Sequence, residues 1–331
     1  MEEIAVSICC LAYNHEKYLR RCLDGFLMQK TNFKFEVLIH DDASTDKTAD
    51  IIREYEQKYP DIIKPIYQSE NQFSQGIKLS WAYQYPRAKG KYIAWCEGDD
   101  FWTDACKLQK QFDALESNPD CSFCTHRVEV VDVDGVSRNE FFPKNTSDSV
   151  YQSSIIPKDS FLEYLLTRDE YPFQTSSYFA RSEYIKEAID NPPDFVSKFQ
   201  YGDMPLMLLF AAKGNVYYIN DAMSNYTVNR PGSWSESYSA VEFKIKGLRS
   251  SAEAIMYYNP FTDFKYKDYV EHYANDHYFT INRIEKNYKG LLEPKFKPFF
   301  NNLSLKTKLH IRIYAYFPFL IPVINKIFKK D

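Results

Sequence analysis

Along the first hundred residues, runs of apolar positions alternate with polar turns and then with apolar residues at helical spacing. "IAVSICCLAY" is apolar almost throughout, as a strand buried on both faces should be. Asn14 then offers a cap for a helix in which Leu19, Cys22, Leu23, Phe26 and Leu27 share a face. "FEVLI" predicts a second strand, followed by a helix from near Thr45 with Ile51, Ile52, Tyr55 and Tyr59 inward. "IIKPIY" predicts a third strand, residues 75–86 a third helix, and "KYIAWC" a fourth strand. Units of roughly 25–30 residues suit strand–helix–strand crossovers. The expected fold is therefore α/β: an open, mostly parallel, twisted sheet flanked by helices.

Such sheets bind ligands beyond the carboxyl ends of their strands. Here three of those ends read Tyr13-Asn14, Asp41-Asp42 and Glu97–Asp100, a polar and acidic rim. Farther along, Thr103 can cap a helix carrying Ala105, Leu108, Phe112 and Leu115 on one face, and strands are expected near 121–131, 150–156 and 173–179. A helix opens near Asp203 with Pro205 in its first turn, and Gly214 ends it. Beyond "RPGSW" the pattern becomes helical and tyrosine-rich. Residues 1–235 thus read as the sheet domain, and 236–331 as a mainly helical C-terminal extension.

Composition adds limits. A chain of 331 residues with net charge −4 has no general attraction for nucleic acid, and no nucleic-acid partner is expected. Its seven cysteines (9, 10, 22, 96, 106, 121 and 124) are odd in number and sit mostly in apolar runs, which fits reduced thiols and a cytoplasmic setting. Cys121 and Cys124 lie three apart on a predicted strand and so point to opposite faces, a poor frame for zinc. Acid at the N-terminus and the lack of an 18-residue apolar run predict neither a signal peptide nor a membrane span. Charge is nevertheless uneven: residues 295–331 hold eight Lys/Arg against Asp331, a net of +7, leaving −11 for the rest. With "IYAYFPFLIPVI" inside it, the segment 305–331 can rest on an anionic membrane surface, placing the protein at the inner face. A terminal helix packed on the core with a solvated basic edge explains the same pattern.

"KYIAWCEGDDFW" carries the sharpest chemical signal. Carboxylates this close repel, and burial adds to the penalty unless a cation offsets it. Neither GxGxxG after a strand nor GxxxxGK[ST] occurs, so a bound diphosphate would need another positive charge. A divalent cation, Mn²⁺ or Mg²⁺, on Asp99 and Asp100 would supply it, because these ions accept one or two carboxylates together with phosphate oxygens and water. Each piece also has a local explanation: Gly and Asp favour turns, and Asp42 or Ser44 can cap the next helix. Three such features at three strand ends tip the balance toward a site.

The stretches "VSICCLAYNHEKYLRRCLDGFLMQ", "FEVLIHDDASTDKT" and "KGKYIAWCEGDDFW" resemble the opening strand, second-strand acidic motif and DxD-type motif of glycosyltransferase family 2. The resemblance is continuous from about residue 4 to 131 and looser to about 235. It implies an inverting, nucleotide-sugar-dependent enzyme of GT-A type. By that resemblance Tyr13 lies against the nucleotide base with Asn14 beside it, and Asp42 accepts a hydrogen bond from uracil, favouring a UDP donor. Asp99 contacts ribose or metal, Asp100 is the principal metal ligand, and Glu97 takes the first place of the triplet. An Ala-Arg-Asn element of many members is missing, and Lys78 is the cation assigned to the diphosphate. Asn229 stands where some members have a metal-contacting His.

Inversion needs one direct displacement by an acceptor hydroxyl, with a general base in reach and the leaving diphosphate stabilised. The family's base matches Asp203 in "FQYGDMPLMLLFAAKG", which could equally be a helix cap. Thr175 in "PFQTSSYFARS" falls on the acceptor side, and Trp102 and Trp234 adjoin the site loops where they could stack on sugar faces. The acceptor expected is a glycan or a lipid-linked molecule. Two other readings compete: a non-catalytic nucleotide- or glycan-binding module, and a nucleotidyltransferase, which usually carries a glycine-rich basic loop where this chain has "AYNHEKYLRR".

Overall fold

The computed structural model describes residues 3–144, 155–168, 172–230, 240–317 and 319. They fall into two compact units, Met1–Pro193 with Tyr201–Ser235, and Asp194–Gln200 with Glu236–Asp331.

The first unit opens with β1 (Ile4–Ala12), α1 (Leu19–Leu27), β2 (Lys34–Asp41), α2 (Thr48–Lys58), β3 (Ile66–Tyr67) and β4 (Tyr92–Trp95). β1 pairs in parallel with β2 on one side and β4 on the other, and β3 extends the sheet beyond β2. Val6, Ile8 and Cys10 of β1 join Leu19, Cys22, Leu23 and Phe26 of α1 in one buried core. The continuous apolar run of β1 thus reflects a strand covered on both faces.

Within this core a polar network fixes the entry to β4. Ser7 Oγ donates to Glu36 Oε1 at 2.8 Å, the Lys89 amide donates to the same carboxylate at 3.0 Å, and the Gly90 amide donates to Ser7 Oγ at 2.9 Å. A Cβ at Gly90 would stand 2.5 Å from the Ser7 nitrogen, so only glycine lets the backbones approach this closely.

Two expectations give way here. Asn14 does not cap α1, which begins five residues later at Leu19; Asn14 instead sits at φ +53 and turns the chain. The helix expected over 75–86 is broken into short turns, Phe73–Gln75, Ser80–Gln84 and Tyr85–Arg87. Gly76 at φ +82 and Pro86 interrupt the ladder, and the buried Gln84 side chain donates to Cys10 O and Leu38 O.

The sheet then becomes mixed, with β5 (Phe101–Trp102), α3 (Lys107–Ser117), β6 (Cys121–Val131), β7 (Ser137–Phe142), β8 (Ile155–Ile156), α4 (Lys158–Thr167), β9 (Phe179–Arg181) and α5 (Ser182–Asp190). α6 (Asp194–Lys198) belongs to the second unit, and α7 (Asp203–Lys213) and β10 (Asn215–Thr227) return to the first. Among the described residues the strand order is β3-β2-β1-β4-β9-β6-β10-β5, with β7 on β6 and β8 on β10. β9 lies antiparallel to both β4 and β6. The strand expected at 173–179 is shorter and later because Thr175–Ser177 form a tight turn held from outside. Trp102 Nε1 donates to Ser176 O, and Gln111 Nε2 donates to Ser177 O.

In the second unit, helices Val241–Ile255, Lys267–Ile284 and Leu305–Tyr316 dominate. Phe279, Leu291, Phe296, Phe300 and Ile311 form a separate core there.

Candidate functional site

The loops after β1 and β2 are sewn together by side chains that the sequence places at matched positions. Asn14 Oδ1 accepts from the Thr45 amide at 2.9 Å, the Asn14 amide donates to Ser44 Oγ at 2.9 Å, and the His15 amide donates to Thr48 Oγ1 at 2.7 Å. Tyr13, just before this clasp, is 43% exposed and presents its ring at the rim.

Asp41 and Asp42 end β2 with different surroundings. Both carboxylate oxygens of the buried Asp42 are engaged by the chain itself: Oδ1 accepts from the Gln72 amide at 2.8 Å and Oδ2 from the Phe73 amide at 3.0 Å. These bonds hold the 72–73 loop and leave each oxygen a second lone pair for a ligand N–H. Asp41 is as buried, yet its Oδ1 has no hydrogen-bond partner, and burial pushes its carboxyl above the usual range. Lys78 is half-buried farther along that loop, and burial pulls its pKa down.

The acidic loop follows β4. The Gly98 amide donates to Leu11 O at 2.9 Å, and a Cβ on Gly98 would come 2.7 Å from His15 Nδ1. Glycine is therefore what lets this loop lie flat over the β1 end. Asp100 is buried, and its Oδ1 accepts from the Thr227 amide at 2.9 Å. Thr227 Oγ1 also donates to Asp99 O at 2.7 Å, so the end of β10 clamps both aspartates. Asp99 Oδ2 accepts from Arg230 Nε at 2.8 Å, with His15 Nε2 3.9 Å away.

Electrostatics tie these groups to Asp203. Burial, then Asp99 and Asp203, push the Glu97 carboxyl up to about 7, although its side chain still reaches solvent. Asp100 is pushed up by burial and by Asp99. Burial also raises the Tyr226 phenol, and after burial come the charges of Asp100, Asp99, Glu97 and Asp203. All four carboxylates thus act on one phenol. Asp203 is the first residue of α7, with its Oδ1 accepting from the Met204 amide at 3.0 Å, and the cap position belongs to Gly202.

Trp102 does not reach a ligand. It is 2% exposed, packs edge-on to Phe26 with ring centroids 4.7 Å apart, and lies 3.9 Å beneath the Lys107 ammonium. The sugar-stacking role expected of it is corrected: its ring is core, and its indole N–H is held by Ser176 O. Lys107 is itself fully buried, and burial drives its pKa down to about 7. Thr175 is half-buried in the turn before β9, beside the end of β4, where the Trp95 amide donates to Tyr178 O. Trp234 lies outside the described residues. Asn229 adopts φ +60 between Thr227 and Arg230.

Sequence reasoning missed Arg230, His15, Thr227 and Tyr226. Arg230 had a signal: it is the sole charged residue in "NYTVNRPGSWS". The others could be placed only by knowing which strands neighbour one another.

No group of three or more His, Cys, Asp or Glu among the described residues is arranged to hold a metal ion. The donor set still fits a hard divalent cation that also binds substrate. Glu97, Asp99 and Asp100 supply oxygen ligands only, and Mg²⁺ or Mn²⁺ needs just one or two of them when phosphate and water complete the shell.

The family model described as Glycosyl transferase family 2 matches residues 7–188. An uncharacterized protein of Mycobacterium bovis is 35% identical over 255 residues, covering 76% of this chain and 68% of its own. Among solved structures, S. aureus TarS 1-349 in complex with UDP-GlcNAc matches with a TM-score of 0.61 at 20% identity, over 90% of this chain and 79% of that one. The mannosyltransferase PcManGT from Pyrobaculum calidifontis, in complex with GDP-Man and Mn²⁺, matches with a TM-score of 0.54 at 13% identity, over 100% and 91%. The shared architecture is the GT-A fold.

Proposed function

Because this chain belongs to glycosyltransferase family 2, we propose that it is an inverting transferase acting on a nucleotide-sugar, with UDP as the carrier. The clamping by Thr227 of Asp99 and Asp100 at the end of β4, with the charge of Asp203 felt by neighbouring Glu97, carries the reading. In the proposed step Asp203 takes the proton of an acceptor hydroxyl as its oxygen attacks the anomeric carbon. The bond from that carbon to the diphosphate breaks, its electron pair leaves with the nucleotide, and the configuration inverts. Asp203 opens α7, where its Oδ1 accepts from the Met204 amide, and a general base is what the displacement requires of it. A divalent cation on Asp100 and Asp99 would offset charge on the leaving diphosphate.

Tyr13 lies against the base in this reading. Asp42 accepts a base N–H beside the two amides it already holds, and Asn14 ties the adjoining loops together. Thr175 faces the acceptor. The test is Asp203→Asn: transfer falls by about 10²–10⁴-fold while UDP binding is unchanged. Wild-type turnover in that variant would remove Asp203 from the base role.

The acceptor in this proposal is a glycan or lipid-linked molecule met at the membrane. No helix among the described residues is long and apolar enough to cross a bilayer. On helix Leu305–Tyr316, however, Leu305, Leu309 and Tyr316 are exposed on one stripe with Arg312, and Lys306 and Lys308 flank it. Such a face suits an anionic lipid surface. Deleting residues 305–331 abolishes sedimentation with anionic vesicles if this is the anchor; unchanged sedimentation rules it out.

A further inference from the structure

Arg230 reaches the acidic loop by a built route. Thr227 is pinned to both Asp99 and Asp100, Asn229 then turns the chain through the left-handed region at φ +60, and Arg230 Nε lands 2.8 Å from Asp99 Oδ2. Asparagine is among the residues that tolerate this conformation, so the turn needs no glycine. Both side chains of the pair are largely withdrawn from water, at 15% and 14% exposure, where a charge contact is screened little.

Two consequences follow from charge alone. A divalent cation arriving at Asp99 without substrate meets a carboxylate already neutralised and a guanidinium beside it, so the two cations compete. A nucleoside diphosphate reverses the sign, because its phosphate oxygens can accept from the guanidinium fork and the metal together. We propose that Arg230 is an internal counter-ion that competes with a divalent cation for Asp99 in the donor-free site and contacts the diphosphate of the bound donor. This rests on the donor reading above, and it places on Arg230 the role the sequence assigned to Lys78.

The test compares the full-length wild type with Arg230→Gln and Arg230→Lys. Mn²⁺ binding without nucleotide is followed by electron paramagnetic resonance, and UDP and uridine binding with Mn²⁺ by calorimetry. Arg230→Gln binds Mn²⁺ alone more tightly than wild type, binds UDP about tenfold more weakly, and binds uridine equally well. Arg230→Lys restores part of the UDP affinity. Weaker or unchanged Mn²⁺ binding in Arg230→Gln overturns the proposal, as does equal weakening of UDP and uridine, which would make Arg230 a loop-holding residue. If the wild type binds no nucleoside diphosphate, the donor reading itself fails and this inference with it. Wild-type UDP binding that Arg230→Gln leaves unaltered sinks the inference alone.

Discussion

Asp41 and Asp42 end β2, while Asp99 and Asp100 follow β4; the two strands flank β1 in one parallel sheet. The pairs are alike in residue type, order and place, yet their surroundings differ. Asp42 receives two backbone amides and thereby folds the 72–73 loop against the sheet. Asp99 receives a guanidinium, Asp100 a single amide, and both feel Glu97 close by. Asp42 serves the chain's own hydrogen bonding, whereas the pair after β4 leaves carboxylates crowded beside one another. Carboxylates crowded in this way are stabilised by whatever cation or cation-bearing ligand arrives.

That contrast can be broken by mutation. The largest effect is expected for Asp100→Ala, which weakens UDP binding in Mn²⁺ by about 10²-fold or more and removes its sensitivity to chelation. Its loss of thermal stability should be the smaller one, since only the Thr227 amide loses its acceptor while a carboxyl that burial disfavours is removed. Asp42→Ala should do the reverse. Leaving two amides without their acceptor costs about 2–4 kcal/mol of stability, read by chemical denaturation, while the metal dependence of UDP binding persists. Exchanged phenotypes would show that the two pairs had been assigned backwards.

Glu97→Gln sharpens the comparison with a smaller, pH-dependent effect. The folded carboxyl titrates at about 7, above its unfolded value, so it weakens the fold increasingly as pH rises between those values. Below the unfolded pKa both states are protonated and nothing is lost. The substitution therefore raises the melting temperature by about 1–3 °C at pH 8 and leaves it unchanged near pH 4, the small size reflecting Glu97's contact with water. A gain at pH 4 that vanishes at pH 8 would contradict the sign.

The parallel half of the sheet was legible because its strands are apolar end to end and its helices amphipathic, so pattern and burial coincide. Legibility fell where tertiary contacts override local preference. Gln84 sits in what reads as a helix face, but its amide satisfies two carbonyls of neighbouring strands. Trp102 reads as a site aromatic because it adjoins Asp100, yet a two-residue strand turns its ring into the core. In the site, the acidic triplet and Asp203 were visible as residue types at expected places. Which of Asp41 and Asp42 keeps an unengaged oxygen was not, because backbone amides some thirty residues away decide it. Arg230 stayed hidden for the same reason: its distance from Asp99 along the chain is 131 residues.

The most direct test of the central claim is calorimetric titration of UDP into the wild-type protein, with Mn²⁺ and again after chelation. The account predicts tight binding with the metal and a large loss without it. No binding of UDP in either condition, repeated with GDP, CDP and dTDP, would contradict it and leave the acidic loop as a turn held by Arg230 and Thr227.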